Sequence, residues 1–290
     1  MTTIRDMVDS VVAEVRGEAA TVESSSSLLT SIDADDTSLQ VVDGNLFSRG
    51  IVEIEEELLL VRAVNRSDGT LTCAPQGRGI RATKAAAHSA GAQVTMSPIV
   101  PRARAHRAIL EALRADSGLF AVGSLDLTYA PMQGSYPLPA DVGDVLSVTW
   151  EPGITIDVHP VPVRRWSFDR HSGRLILGDP IRPGAMVHVS YSLSPIIPTS
   201  IDDDFATTGL PESCIDVIRF SAAWRVSSFM ESHNLMAQKA EADAMDRARS
   251  TSGSRLRISQ YFYNLYQQRL AEEVGNLQRR WPIRTHFTVS

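Results

Sequence analysis

The spacing of apolar residues along the chain changes several times, and each change marks an expected structural segment. Near the N-terminus the apolar residues recur at helical intervals, which predicts one short amphipathic helix over residues 3–16. From about residue 37 to 96 the spacing is that of strands separated by turn signals. Here we expect a small antiparallel β-barrel or sandwich, with residues 50–64 (GIVEIEEELLLVRAV) as one strand segment and Gly69 at positive φ in a hairpin turn.

The second half of the chain repeats this alternation on a larger scale. Residues 97–118 begin with prolines, end with glycine and carry one apolar face, which predicts a helix. Short strand patterns between Gly, Pro and Asp turns fill residues 119–200 and indicate an antiparallel sandwich. Two long helical patterns follow, and the Thr-Ser-Gly-Ser stretch at 251–254 is expected to break them into a helical hairpin.

These patterns together predict an α+β protein with four consecutive parts. An N-terminal helix and polar linker occupy residues 1–30, and a small β domain with a closing helix occupies residues 31–117. An antiparallel β-sandwich is expected over residues 118–200. The remainder, residues 201–290, is expected to form a linker, a C-terminal α-helical hairpin and an extended tail after Pro282, which cannot continue a helix.

Composition narrows the class of protein further. The chain has 290 residues, of which 43% are hydrophobic, so each part can bury a core. Its formal net charge of −6 argues against a dedicated nucleic-acid binder with a basic surface. Two cysteines, Cys73 and Cys214, are too few for a disulfide framework and are expected to be buried thiols. Charged residues interrupt the N-terminal apolar run, and no window has membrane-spanning length, so we expect a soluble product made and folded in cytoplasm.

The stretch PQGRGIRATKAAAHSAGAQV (75–94) is the strongest candidate for a phosphate-binding loop. Gly77 to Ala82 match G-x-G-x-x-A, but no Asp or Glu occurs between Asp68 and Glu111 to hold a ribose. The Walker pattern is also missing, because the chain contains no Gly-Lys-Ser or Gly-Lys-Thr. We therefore expect scaffolding: a strand, a glycine turn, a short alanine-rich helix and a return strand.

No other constellation in the sequence predicts catalysis, a cofactor or a metal. The seven histidines are scattered, and none forms the paired spacing of zinc hydrolases. Asp202, Asp203 and Asp204 lack the remaining ligand positions of a calcium loop. No Gly-x-Ser-x-Gly nucleophile elbow occurs. The expectation is a protein that is not an enzyme and carries no cofactor.

Two segments carry a family resemblance. The run Arg78-Gly79, Thr83, Ala85 to Ala87, His88, Gly91-Ala92 and Val94 resembles a segment that recurs in structural proteins of tailed bacteriophages, although Ala82 stands where that segment prefers glycine. SQYFYNLYQQRLAEEVGNLQRRWP (259–282) resembles the terminal helix of head-to-tail connector (adaptor, head completion) proteins of siphophages infecting actinobacteria. The resemblance is strongest over 211–287, fair over 50–115 and slight between them.

The resemblance implies a virion protein of the phage neck, at the head–tail junction, that acts by assembly. Members of this family form a homo-oligomeric ring, usually of a dozen copies, between the portal protein and a tail-side stopper or neck protein. DNA passes through the ring without specific binding, and no membrane is involved. Trp, Arg and Phe are enriched at interface hot spots, which suggests a docking segment for the portal or a neighbour, formed by Arg279, Arg280, Trp281, Pro282, Ile283, Arg284 and Phe287.

The acidic run in residues 50–64 is first of all expected to be the solvated face of a strand. In a ring, acids facing the channel would repel DNA phosphates and let DNA slide. The candidates for this role are Glu55, Glu56 and Glu57. Two alternatives to the adaptor remain open: a minor tail or baseplate protein, and, from another class, an enzyme or carbohydrate-binding module built on the central sandwich.

Overall fold

The structure is a computed structural model that describes residues 2–17, 23–115, 118–152, 160–242 and 252–281, with side chains omitted for 231–242 and 252–257. The chain divides into two compact units, and each unit combines distant segments. The barrel unit consists of Ile4–Ala112 and Arg219–Leu265. The sandwich unit consists of Met1–Thr3, Leu113–Ile218 and Tyr266–Ser290. The expected parts follow one another along the chain, whereas these units each recruit part of the C-terminal helices.

A six-stranded antiparallel sheet forms the centre of the barrel unit. Its spatial order is β1-β6-β3-β4-β5-β2. The strands are β1 (Ser25–Ser27), β2 (Ser38–Gln40), β3 (Gly50–Ile54), β4 (Glu57–Asn65), β5 (Thr70–Cys73) and β6 (Gln93–Met96). Leu28 bridges Val41 beyond the two edge strands, and Leu29 N donates to Gln40 O at 2.7 Å. The edges therefore meet, and the sheet closes into the small antiparallel barrel that the sequence predicts.

Alternating apolar side chains fill the barrel, including Leu39, Val52, Leu59, Leu71 and Val94, each no more than 2% exposed. The predicted hairpin turn before β5 is confirmed. Gly69 has φ +71°, and a Cβ at this position would lie 2.2 Å from the Val41 carbonyl oxygen. Glycine is therefore required there both for the backbone angle and for the close approach.

The expected single strand over residues 50–64 is wrong: the chain forms a hairpin instead. β3 ends at Ile54, Glu55 and Glu56 form the turn, and β4 begins at Glu57. Glu55 takes φ +53°, an angle usually left to Gly, Asn or Asp. Without one of those residues the sequence gives no turn signal at this point.

Two helices belong wholly or mainly to the barrel unit. α1 (Ile4–Arg16) buries Ile4, Met7, Val8 and Val11, as its apolar spacing predicts. α2 (Arg102–Ala115) follows Pro101 and buries Ala105, Ala108, Ile109 and Ala112. α2 therefore confirms the helix that the prolines before it and the glycine after it predict between residues 97 and 118.

The sandwich unit contains two antiparallel sheets that share one core. One sheet has the order β10-β9-β13-β7 and the other β11-β12-β8. The strands are β7 (Ala121–Thr128), β8 (Tyr136–Pro137), β9 (Val142–Trp150), β10 (Val161–Pro162), β11 (Trp166–Asp169), β12 (Arg174–Leu177) and β13 (Met186–Leu193). Val145 and Val187 of the first sheet pack in the same cluster as Leu175 and Trp166 of the second. The predicted antiparallel sandwich is confirmed.

The C-terminal helices α3 (Ile215–Ala242) and α4 (Ser252–Arg280) form a pair. In the sandwich unit Arg269 Nη2, in the second half of α4, donates to Asp216 Oδ2 in the first turn of α3 at 3.0 Å. In the barrel unit the rings of Trp224 and Tyr263 lie 5.1 Å apart. These contacts pair α3 and α4 in opposite directions and confirm the predicted helical hairpin, so the fold class is α+β.

The predicted helix break is misplaced. Ser252 to Ser254 form the first turn of α4, where small polar residues are well tolerated, and Thr251 lies outside the described residues. Both cysteines are buried free thiols, as expected. None of the helices in the described part of the chain combines the length and apolar character needed to span a membrane.

Candidate functional site

A buried carboxylate is held at the start of β4 by the loop that resembles a phosphate-binding motif. Glu57 is 1% exposed, and Arg78 grips both of its oxygens, with Nε–Oε1 at 2.7 Å and Nη2–Oε2 at 2.8 Å. The backbone N–H groups of Gly79 and Ala86 donate at 3.0 and 3.1 Å. His88 Nε2 lies 2.9 Å from Oε2. Glu57, Arg78, Gly79, Ala86 and His88 together are termed the carboxylate cradle.

The loop over residues 74–92 contains no helix, so the expected short alanine-rich helix is wrong. Its backbone is fastened to strand β4 instead: Leu60 N donates to Gly77 O at 2.7 Å, and Ile80 N donates to Leu58 O at 3.0 Å. The alanines leave room for the chain to wrap closely around Glu57. The loop does bind an anion, as its glycines and basic residues suggested, but that anion is the protein's own carboxylate.

Arg78 is fully used inside the protein. Besides Glu57, its guanidinium donates to the carbonyl oxygens of Asp33 and Asp36 through Nη1 and to that of Ala86 through Nη2, at 2.7–2.8 Å. These contacts account for all five N–H groups of a guanidinium. With its side chain 8% exposed, Arg78 has no donor left for an external phosphate.

The charges of the carboxylate cradle are mutually stabilised. Burial alone raises the pKa of Glu57, but hydrogen bonds from Arg78 and His88 outweigh it and lower that pKa to about 2. Burial also opposes the charged form of His88, yet hydrogen bonds to Glu57 and Glu55 outweigh it and raise the pKa of His88. The two carboxylates beside the ring therefore favour the protonated form of His88.

An open cavity of about 400 Å³ adjoins the carboxylate cradle within the barrel unit. Its charged lining mixes signs: Arg5, Lys84 and Arg107 face the same space as Glu55 and Glu56. His106 Nδ1 lies 2.5 Å from Glu56 Oε1, which fixes the ring. Such a balanced lining does not select a phosphate or another strong anion. Across the described ranges, no cluster of three or more His, Cys, Asp or Glu side chains is placed to hold a metal ion.

A second buried acid, Glu53, lies on the neighbouring strand β3 and is 5% exposed. It accepts a hydrogen bond from Arg102 N at 2.7 Å, at the start of α2. Burial is the largest influence and raises the pKa of Glu53 to about 8, so the side chain is mainly protonated at neutral pH. This acid therefore acts as a hydrogen-bonding part of the core.

The structure separates the three acids proposed to face a channel. Glu55 and Glu56 lie in the β3–β4 turn, with side chains 49% and 34% exposed. Glu57 is buried in the carboxylate cradle, so the expectation of one solvated charged face is wrong for this residue. A carboxylate enclosed by Arg78, His88 and two backbone amides has no surface to present to DNA.

The proposed docking segment is described only at its beginning. Arg279 and Arg280 are exposed at the last turn of α4, and Trp281 N donates to Leu277 O at 2.7 Å. Pro282, Ile283, Arg284 and Phe287 lie outside the described residues. In the barrel-unit part of the helix pair, Phe229, Ile258 and Tyr261 are 51%, 42% and 58% exposed.

Sequence reasoning missed the carboxylate cradle, although one signal was present. Glu57 directly precedes the apolar residues 58–61 of β4. An acid next to a buried run needs a charged or hydrogen-bonding partner if it is buried too. The partner is 21 residues away in a loop, so the pairing itself is visible only in the fold. No protein-family model matches the chain, and no curated protein matches its sequence.

Proposed function

We propose that this protein is a non-enzymatic head-to-tail adaptor of a tailed phage, which assembles as a ring between the portal and a tail-side neck protein. The observation that carries the proposal is the pair of resembling segments, residues 50–115 and 211–287. The fold supports it because the motif residues of the first segment contact the same buried side chain, Glu57. Arg78, Gly79 and His88 build the carboxylate cradle, which fixes the shape of the barrel unit.

The helix pair supports an assembly role independently of sequence resemblance. Phe229, Ile258 and Tyr261 expose apolar and aromatic surface on the barrel-unit part of α3 and α4. Arg104 lies over the Phe229 ring at 4.8 Å, so this aromatic side chain is held in place while half exposed. Positioned aromatic side chains on a surface are characteristic of protein interfaces.

In this proposal each part of the chain has a mechanical role. The helix pair and the docking segment (279–287) bind the portal or a neighbouring subunit, while the two β units build the ring and receive the tail-side protein. Glu55, which is half exposed, and Glu56, which is one-third exposed, present acids that keep DNA from adhering to the channel wall. Glu57 acts indirectly, because it holds the loop that carries the motif.

The proposal is tested with phage that lack this gene. Loss of an adaptor should leave filled heads and complete tails unjoined in the lysate, and expression of the wild-type chain from a plasmid should restore whole particles. A lysate with no complete tails would instead assign the protein to the tail or baseplate. Normal infectious particles without the gene would contradict a virion role altogether.

A further inference from the structure

The sandwich unit contains a long edge strand without a neighbour on one side. β7 pairs with β13 over its full length, from Ala121↔Leu193 to Thr128↔Met186. The order β10-β9-β13-β7 places β7 at the end of the sheet, and the described ranges provide no strand beyond it. An eight-residue edge of this kind is a ready template for another strand.

The flanking hydrogen bonds identify which backbone groups of β7 face outward. Tyr129 N donates to Ala185 O at 2.9 Å, and Gly184 N donates to Tyr129 O at 2.9 Å, so Tyr129 turns both groups toward β13. Backbone direction alternates along an antiparallel strand, so the odd-numbered residues of β7 also bond to β13. The N–H and C=O groups that point away from the sheet belong to Val122, Ser124, Asp126 and Thr128.

Asp126 is the only device on β7 that protects an edge strand. The strand contains no proline and no lysine, and its pairing with β13 runs without a bulge. Leu125 and Leu127 are only partly buried where they pack against the sandwich core. A strand added beside β7 would cover these side chains as well as pair with its backbone.

The C-terminal residues of the chain have the composition of such a strand. In residues 283–289, Ile283, Phe287 and Val289 alternate with the polar residues Arg284 and His286, a period of two. The segment has seven residues, which matches the eight of β7. Paired with β7, its apolar side chains would fall on the side of Leu125 and Leu127. Its cation Arg284 would share the outer face with Asp126, the single charged residue of β7, which also lies 2.6 Å from His188 Nδ1 of β13.

Chain geometry favours the segment of another copy over that of the same chain. A Cβ on Gly118, just before β7, would lie 3.0 Å from Val274 of α4, so α4 passes the start of β7. An antiparallel partner must begin opposite Thr128, about 23 Å beyond Ala121 along an extended strand. From Val274 to Ile283, seven helical steps and two extended steps reach at most about 18 Å, which is short of that starting point.

We propose that residues 283–289 of a second copy add to β7 as an antiparallel strand. The contact is head-to-tail, since each copy donates its C-terminal segment and receives another on β7, and repetition of one such contact closes a ring or extends a filament. It deepens the proposed function by naming the partner of the docking segment, and it rests on the ring assembly in that proposal.

Two full-length variants block the two halves of this contact. Ser124→Pro removes an outward N–H and leaves the bonds to β13 intact, and Ser124→Thr is its matched control. Ile283→Asp/Phe287→Asp removes the apolar face of the donated segment, and Ile283→Leu/Phe287→Leu is the control. Native mass spectrometry measures the mass of each assembly, and near-ultraviolet circular dichroism checks that each variant remains folded.

The wild-type chain and both controls should form oligomers, and each blocked variant alone should be monomeric. Mixed in equal amounts, the blocked variants should form dimers and nothing larger, because only one intact donor and one intact acceptor remain per pair. An oligomeric Ser124→Pro chain, a monomeric wild-type chain, or a mixture without dimers would each overturn the contact. Oligomers of Ser124→Pro bound to portal protein through residues 283–289 would assign the segment to the portal instead.

Failure of this contact and failure of the adaptor function give different results. If the contact is wrong and the function right, phage lacking the gene still accumulate unjoined heads and tails, but the mixed blocked variants form no dimers. If the function is wrong and the contact right, the blocked variants pair as described while phage without the gene assemble normally.

Discussion

At the scale of single residues, the protein is organised around acids that are buried for different reasons. Glu57 is charged and enclosed by Arg78 and His88, whereas Glu53 is mainly neutral and bonded to backbone amides at the start of α2. Both lie in the β3–β4 region, within a few residues of each other. The number of donors that reach each carboxylate decides which of the two keeps its charge.

Replacing Arg78 should show how much the barrel depends on its buried ion pair. Arg78→Met leaves Glu57 without its main partner and should lower the free energy of unfolding by about 3–5 kcal/mol. Arg66→Met, at an exposed position, should change it by less than about 0.5 kcal/mol. Urea unfolding at pH 7 measures both, and equal stability of the two variants would contradict the structural role of the carboxylate cradle.

The stability contributed by Glu57 should disappear in acid. Its pKa is about 2 in the folded protein against an ordinary value of 4.5, so its contribution is complete above 4.5 and is lost as the pH falls toward 2. Glu57→Gln should therefore flatten the dependence of stability on pH between about 5 and 2, as followed by urea unfolding. An unchanged slope in the variant would show that other carboxyl groups dominate acid unfolding.

Glu53 should have the opposite effect at higher pH. Its folded pKa of about 8 lies above the ordinary 4.5, so stability falls as the pH rises from 4.5 through 8, because folding keeps a proton that the unfolded chain releases. Glu53→Gln removes this cost and keeps an oxygen for Arg102 N. Its stability relative to wild type should increase by about 2–4 kcal/mol between pH 5 and pH 9. A constant difference in stability between the variant and wild type over this range would contradict a buried, protonated Glu53.

At the scale of elements, the sequence predicted what depends on local spacing and turn chemistry. The spacing of apolar residues and the Gly and Pro residues at element ends predict α1, α2, the Gly69 turn and the strands of the sandwich. The β3–β4 turn and the loop over 74–92 do not. The turn uses glutamates at a position that usually needs glycine, and the loop takes its conformation from Glu57, a contact between distant residues. The candidate site is therefore visible only once β4 and the loop are brought together.

Gly79 should be more sensitive to substitution than Gly91 of the same loop. Its φ is +63°, and a Cβ would lie 2.7 Å from Ala85 N, so alanine adds a steric clash to backbone strain. Gly91 also has positive φ, +89°, with nothing within 4 Å, and serves as the matched control. Gly91→Ala should cost about 1–2 kcal/mol of unfolding free energy, and Gly79→Ala clearly more. Thermal unfolding measures both variants. An equal loss of unfolding free energy in the two would show that the loop relaxes freely around Gly79.

At the scale of the whole molecule, both compact units recruit residues from the C-terminal helices. α3 and α4 each contribute one part to the barrel unit and another to the sandwich unit. Surfaces on this helix pair are therefore divided between the barrel unit and the sandwich unit.

The exposed aromatic surface of the helix pair should matter for assembly more than for folding. Tyr261→Ser, at 58% exposure, should leave the unfolding free energy within about 0.5 kcal/mol of wild type. In phage that lack the gene, the variant supplied from a plasmid should restore fewer infectious particles than wild type. Gln267→Ala on the same helix is the control and should restore them fully. Full rescue by Tyr261→Ser would remove this residue from the proposed interface.

The most direct measurement of the central claim is immunogold electron microscopy of particles with an antibody against this protein, on intact and on disrupted virions. The adaptor function predicts gold at the head–tail junction, in disrupted particles if the epitopes are covered in intact ones. Gold at the tail tip would contradict the adaptor and indicate a baseplate protein. Particles that remain unlabelled in both preparations would contradict a structural role in the virion.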